Sequence, residues 1–271
     1  MSWVDNVDLA PGWEYNAGTP MKCLALDTTT DVSSIAVADE TGILGQYDFA
    51  HRMDLSRRLM PNIISLLKDC GLEMKDVEAI GVSLGPGSFT GLRIGVVTAK
   101  TLAQVLGVPI SGVVSLDLLA HQFDYLAQAV VCPLIKVRRA EVYYALFRAD
   151  RGSIERVSDY CAGPIEKVIE LAKGALPTKA GAAEVIFCGD GLSENLDALR
   201  QALGGIVIAA PPWLSYPKAS ILAQSALKKI AQGEADDPLS LAPFYIRRSA
   251  PEMRLETASN ACRRNAKRGV G

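Results

Sequence analysis

The run Ser83-Leu84-Gly85-Pro86-Gly87-Ser88-Phe89-Thr90-Gly91-Leu92-Arg93-Ile94-Gly95 constrains this chain more than any other stretch. The residues before it, 76–82, carry branched apolar side chains in weak alternation and read as a buried strand. Those after it, Leu92 to Leu106, follow helical spacing, with small residues and no proline. The glycine-rich stretch is therefore a strand-to-helix turn, which points to an α/β architecture. Gly85 and Gly87 remove the Cβ penalty where the backbone turns sharply, Pro86 stiffens the turn, and Ser88 or Thr90 can cap the helix. Unpaired N–H groups at a helix N-terminus attract anions, and Arg93 in the first turn adds to that pull.

No standard nucleotide loop fits these residues. A Walker loop needs Lys followed by Ser or Thr, and the turn holds only Arg93. The dinucleotide fingerprint fails because Thr90 stands where the third glycine belongs, and a nucleophile elbow fails because Pro86 and Thr90 flank Ser88. Two readings stand: an anion or partner site built on Gly85, Gly87, Ser88, Thr90 and Arg93, or a structural turn that lets a helix pack closely on a sheet.

Of 271 residues, 49% are apolar, enough for a real core in one large or two small domains. The formal charge of −2 gives no general attraction to nucleic acid, so contact with RNA would be local or made by a partner. No apolar run is long enough to span a membrane, and the start lacks a basic segment leading into an apolar one, so a cytoplasmic location is expected. Cys23, Cys70, Cys132, Cys161, Cys188 and Cys262 form no C-x-x-C pair and read as buried thiols in a reducing compartment. His51 and His121 lie far apart in the sequence, so neither a zinc site nor a Ser-His-Asp triad is expected.

Residues 1–20 have no period and read as a loosely ordered extension. A first half, 21–122, opens with strands Lys22 to Asp27, Val32 to Ala38 and Ile43 to Phe49. Asp27, Thr28, Thr29 and Thr30 lie at the first hairpin tip. They can hold a phosphate or a metal ion, or form a polar turn whose hydroxyls satisfy their own backbone. Leu55 to Cys70 reads as an amphipathic helix with Leu55, Leu59, Ile63, Leu66 and Leu67 on one side, and Met60 and Ile64 widening the stripe enough to serve core and partner. The helix after the turn carries Gly91, Gly95 and Ala99 four residues apart, a track that suits close helix packing inside the chain or across a dimer. A strand from Val108 to Val113 and a helix from Ser115 to Gln122 complete this half.

A second half, 123–249, echoes that order. Ala129 to Val137 and Glu141 to Arg148 read as paired strands, and Ile154 opens a third. A helix from Pro164, a strand from Glu184 to Cys188, a helix from Leu192, a strand from Ile206 and a helix from Lys218 to Gln232 follow. The stretch 250–271 holds Arg254, Arg263, Arg264, Lys267 and Arg268 and reads as a solvated basic tail.

Three strings together resemble the TsaB (YeaZ) family of bacterial tRNA threonylcarbamoyladenosine synthesis: Leu24-Ala25-Leu26-Asp27-Thr28-Thr29-Thr30, Gly85 to Gly95, and Glu141-Val142-Tyr143. The motif order agrees over roughly Met21 to Arg248. The resemblance implies a fold of the actin, Hsp70 and sugar-kinase (ASKHA) type with two related mixed-sheet halves, in which the last helix, 218–232, can pack back on the first. It also implies missing catalytic equipment. The related enzyme TsaD carries two metal-binding histidines after the strand beginning at Val108, and the aligned positions here are Ser115 and Leu119, with His121 out of register. In the nucleotide turn, Gly189-Asp190-Gly191, Asp190 replaces a glycine and puts negative charge where an anionic nucleotide would lie. The family's Asp-Ala-Arg-Arg-Gly before Glu-Val-Tyr is replaced by Lys136-Val137-Arg138-Arg139-Ala140, and the compact His-Ser/Thr-x-x-Leu-x-Pro pattern is lost near His51 to Pro61.

What the resemblance implies is a non-catalytic scaffold, with no metal and no cofactor, that docks a TsaD-like transferase, is joined by a TsaE-like ATPase, and meets tRNA only through that complex. The expected interface lies on the helices bearing Leu55, Leu59, Ile63, Leu66, Gly91, Gly95 and Ala99, which in isolation would form a homodimer. A small-molecule kinase of the same fold is the rival, with Asp27 to Thr30 and Gly85 to Thr90 as phosphate loops.

Overall fold

The computed structural model describes residues 20–51, 54–137, 140–175 and 184–246. The expectations for residues 1–19, for Arg138 and Arg139, and for the basic tail lie outside them.

The first half begins with an antiparallel meander of β1 (Cys23–Asp27), β2 (Val32–Asp39) and β3 (Gly42–Ala50). Then come α1 (Leu55–Asp69), β4 (Ala79–Ser83), α2 (Phe89–Leu106), β5 (Ile110–Val113) and α3 (Ser115–His121). The sheet order is β3-β2-β1-β4-β5, with β4 parallel to β1 and β5 parallel to β4. Alternation along the strands separates two faces. Leu24, Leu26, Ile35, Val37, Ile80 and Val82 point to one side, where they bury Leu59, Ile63 and Leu66 of α1 and Leu92 and Val96 of α2.

The other face is made of small residues: Cys23, Ala25, Ala36, Ala38 and Ala79. It is covered by α6 (Ala219–Ala231) through Leu222, Ala223, Ala226 and Ile230. The approach is close enough that a Cβ on Gly81 would sit 3.0 Å from the Ala226 methyl carbon, which is why this face carries alanine where its opposite carries leucine. Lys218 provides no side-chain cap for α6. Its first N–H groups instead find long-range acceptors: Ala219 donates to Ser34 Oγ at 2.9 Å and Ser220 to Gln46 Oε1 at 3.1 Å. Lys218 pairs with Asp48 at 2.9 Å, so the last helix is tied at its start to β2 and β3.

The second half comprises β6 (Ala129–Lys136), β7 (Glu141–Tyr144), β8 (Phe147–Asp150), β9 (Ser153–Arg156), β10 (Cys161–Pro164), α4 (Ile165–Ala175), β11 (Val185–Cys188), α5 (Leu192–Leu203) and β12 (Val207–Ala209). Its sheet runs β10-β7-β6-β11-β12. Strand for strand this repeats β3-β2-β1-β4-β5: an antiparallel trio, then two strands parallel to the first of them. That duplication is the pair of related mixed-sheet halves that the sequence order shows and that the family resemblance implies. The β8–β9 hairpin is added on the free length of β6.

Three of the local readings that differ from the structure have a definite physical cause. The single strand expected from Glu141 to Arg148 is two, because β7 pairs with Leu134 to Lys136 while β8 pairs with Ala129 to Val131. Pro133 lies between those stretches and has no N–H to continue the ladder. Strand β10 has no counterpart among the expected elements, since Cys161-Ala162-Gly163-Pro164 lacks alternation; a sheet edge tolerates its glycine and proline. Helix α2 starts three residues earlier than its spacing indicates, because Ser88 caps it and accepts from the Gly91 N–H.

Candidate functional site

The two loops considered as phosphate cradles pack on each other. Thr28 Oγ1 donates to Gly91 O at 2.8 Å, and the Ser88 N–H donates to Thr29 O at 2.6 Å. A Cβ on Gly87 would lie 2.2 Å from Thr29 O, one on Gly91 2.1 Å from Thr28 O, and one on Gly95 2.1 Å from Thr28 Oγ1. The glycines therefore let α2 seat directly on the β1–β2 turn. Of the two readings left open for this stretch, close helix-on-sheet packing is what the geometry exhibits. At Gly85 the backbone φ of +92° is one that only glycine adopts without strain.

Asp27, Thr28, Thr29 and Thr30 are all buried. Thr29 donates its hydroxyl to the Asp27 carboxylate at 3.0 Å and its N–H to the same group at 3.2 Å, and Thr30 Oγ1 donates to Val32 O at 2.8 Å. Only Thr30 satisfies the turn's own backbone; the Thr29 hydroxyl goes to the Asp27 side chain and the Thr28 hydroxyl leaves the turn for Gly91 O. Ser88, Thr90 and Arg93 are exposed, and the Arg93 guanidinium lies 3.9 Å from the centroid of the Phe89 ring, stacked over it.

Burial pushes the Asp27 carboxyl up to about 6, against the hydrogen bonds from Ser83 and Thr29, and the charge of Asp190 adds to the rise. Asp190 belongs to the second half. Burial raises its carboxyl as well, the Lys136 N–H it accepts at 2.8 Å opposes that, and Asp31 adds to it. Carboxylates from both halves thus act on one another: Asp190 on Asp27, and Asp31 on Asp190. Because folding raises the Asp27 pKa, the folded chain binds the extra proton between about pH 4 and pH 6, and stability falls as pH rises through that window, by about 3 kcal/mol in all. Asp27→Asn removes the buried charge. We expect it to be about 2 kcal/mol more stable than wild type at pH 7.5 and little changed at pH 4 in urea denaturation. An Asp27→Asn variant that keeps the wild-type pH slope would contradict the assignment.

The positions that the resemblance aligns with the metal histidines of TsaD are core positions. Ser115 is buried, its Oγ lies 2.8 Å from Ser83 Oγ, and its N–H donates to Gly85 O. Leu119 is buried with Phe123, Val131 and Phe147. His121 Nδ1 lies 2.8 Å from the Asp117 carbonyl of its own helix.

The expected interface residues need correction. Leu55, Leu59, Ile63 and Leu66 are 3% exposed or less, as inward members of the first-half core. Gly91, Gly95 and Ala99 are also buried, the glycines against Thr28. None of the seven can meet another protein without unfolding this one. What α1 and α2 turn outward is different: Ile64 at 57% exposure, Phe89 at 44%, Val97 at 63% and Val105 at 77%. Phe89, Arg93, Val97, Thr101 and Val105 follow at intervals of four, an exposed stripe along α2. The signal for these residues was the width of the α1 stripe, since Ile64 exceeds what one buried face needs, and the offset of Val97 from the glycine track.

The chain is similar to known proteins in family, in sequence and in structure. A family model described as TsaD, tRNA N6-adenosine threonylcarbamoyltransferase, matches residues 50–254. The chain is 34% identical over 235 residues to the Bacillus subtilis tRNA threonylcarbamoyladenosine biosynthesis protein TsaB, covering 86% of this chain and 96% of that protein. It is 27% identical over 234 residues to the protein of the same name from Haemophilus influenzae, covering 83% and 92%. Among solved structures, YeaZ from Pseudomonas aeruginosa superposes with a TM-score of 0.69 at 25% identity, over 83% of this chain and all of that one.

Proposed function

The chain belongs to the TsaB (YeaZ) family, within the wider group that the TsaD model describes, and from that premise we propose that it is a non-catalytic docking subunit in tRNA threonylcarbamoyladenosine synthesis. The observation that carries this reading is the outward face of α1 and α2, where Ile64, Phe89, Val97 and Val105 stand exposed on two helices that touch each other. Isolated exposed apolar residues are ordinary, but several on adjoining helices suit a protein interface. The partner is a TsaD-like transferase, which does the chemistry, with a TsaE-like ATPase joining the assembly. In isolation the same face pairs two copies of this chain, and tRNA is met only through the complex.

The buried Ser115 and Leu119 support the non-catalytic part, because neither side chain offers a strong metal ligand where the related enzyme has histidine. Among the described residues no helix is long and apolar enough to cross a membrane.

The test is a modification assay with tRNA, ATP, threonine and bicarbonate, supplied with the enzyme that makes threonylcarbamoyl-adenylate. We expect no modified tRNA with this chain alone, and product when the TsaD-like and TsaE-like proteins are added. Product formed without the transferase, or an equal yield with this chain left out, would overturn the proposal.

A further inference from the structure

After α6 the chain returns along the first half as a strap, residues 236–246. The Asp236 N–H donates to Ile110 O at 2.8 Å and its carboxylate accepts from the Gly112 N–H at 2.8 Å, so the strap begins on the open edge of β5. Leu241 is buried in the first-half core. Lys100 of α2 donates its ammonium to the carbonyls of Leu239 and Leu241 at 3.1 and 2.8 Å. The Phe244 N–H then donates to Leu84 O at 2.8 Å, which brings the strap to the glycine turn.

There its two aromatic side chains diverge. The Tyr245 ring lies 6.2 Å from the ring of Phe89, the first residue of the exposed α2 stripe. The Phe244 ring meets Tyr160 of the second half edge-on at 5.3 Å. Tyr160 donates its hydroxyl to the Asp117 carboxylate of α3 at 2.7 Å, and Arg156 lies over its ring at 4.1 Å. Tyr160 is therefore held by first-half α3 and by the strap together, and one step along the chain joins that contact to the face of α2.

We propose that residues 236–246 are a clasp through which occupancy of the α2 face is transmitted to the contact between the two halves. What occupies the face rests on the docking reading above; the clasp itself does not. Phe89 is 44% exposed and Tyr245 38%, so a partner on the α2 face buries Tyr245 along with Phe89 only while the strap is seated. Binding then favours the seated state by that differential contact and fixes the halves relative to one another.

The test is hydrogen exchange on the full chain, with no other protein and diluted until it is monomeric, so that it can fail independently of docking. Phe89→Ala, at an exposed position, is expected to speed exchange about three- to tenfold at residues 157–163 and 242–246. Val97→Ala, on the same face without a strap contact, leaves those residues unchanged. Phe244→Ala speeds the same segments at least as much, and in its background Phe89→Ala adds nothing further. Phe244→Leu, which keeps the apolar volume and loses the ring edge, replaces it if the alanine variant does not fold. No change at 157–163 in Phe89→Ala, or effects of the two substitutions that simply multiply, would overturn the clasp.

Discussion

Gly91→Ala is expected to cost about 3 kcal/mol or more, the largest stability loss from adding a single methyl group anywhere in the glycine-rich turn. The added Cβ would stand 2.1 Å from Thr28 O, a backbone atom that cannot rotate away. Relief requires α2 to lift from the β1–β2 turn. That stretches the Thr28 Oγ1 to Gly91 O hydrogen bond and opens the packing of Leu92 on the core. Gly107→Ala makes a fair contrast. Gly107 also needs its backbone conformation, with φ +69°, yet nothing lies within 4 Å of its Cβ position, so about 1 kcal/mol is expected there. Chemical denaturation of both variants checks the difference. If Gly91→Ala unfolds at the wild-type midpoint, helix-on-turn packing is not what these glycines do.

The second large effect concerns association. Val97→Arg combined with Ile64→Asp is expected to weaken binding to the TsaD-like transferase about a hundredfold or more, with little loss of stability. Both side chains face solvent in the single chain, so new charges there remain hydrated until a second copy or another partner arrives. Docking would then strip water from two charges against a surface that receives apolar side chains. Leu59→Asp is no substitute: Leu59 is 1% exposed, and a carboxylate there unfolds the chain whether or not its partner exists. Substitutions that test this interface therefore have to sit one helical step away from the stripe that the sequence displays most strongly.

That offset explains how much the sequence can disclose. The duplicated order of strands and helices is readable because each half needs a buried strand, a glycine turn and a helix, and those leave periodic marks. Residues such as Leu59 and Gly91 are legible as packing residues, but not which surface they pack against. A four-residue repeat of small or apolar side chains is the same whether it faces a sheet of its own chain or another protein. The buried carboxylate of Asp27 is visible as a residue, while its raised pKa depends on burial and on Asp190, far away in sequence and brought near by the duplicated fold. The strap leaves no mark in the sequence. Residues 236–246 have no regular period, and their order comes from separate hydrogen bonds to Ile110, Gly112, Lys100 and Leu84.

The most direct measurement is the affinity of this chain for the TsaD-like transferase of the same cell, by calorimetry, for wild type and for the Ile64→Asp, Val97→Arg variant after equal stability is verified. The expected result is a tight one-to-one complex for wild type and its near loss in the variant. A variant that binds as tightly as wild type, or a wild type that binds no transferase, would contradict the assignment of this face as the docking surface.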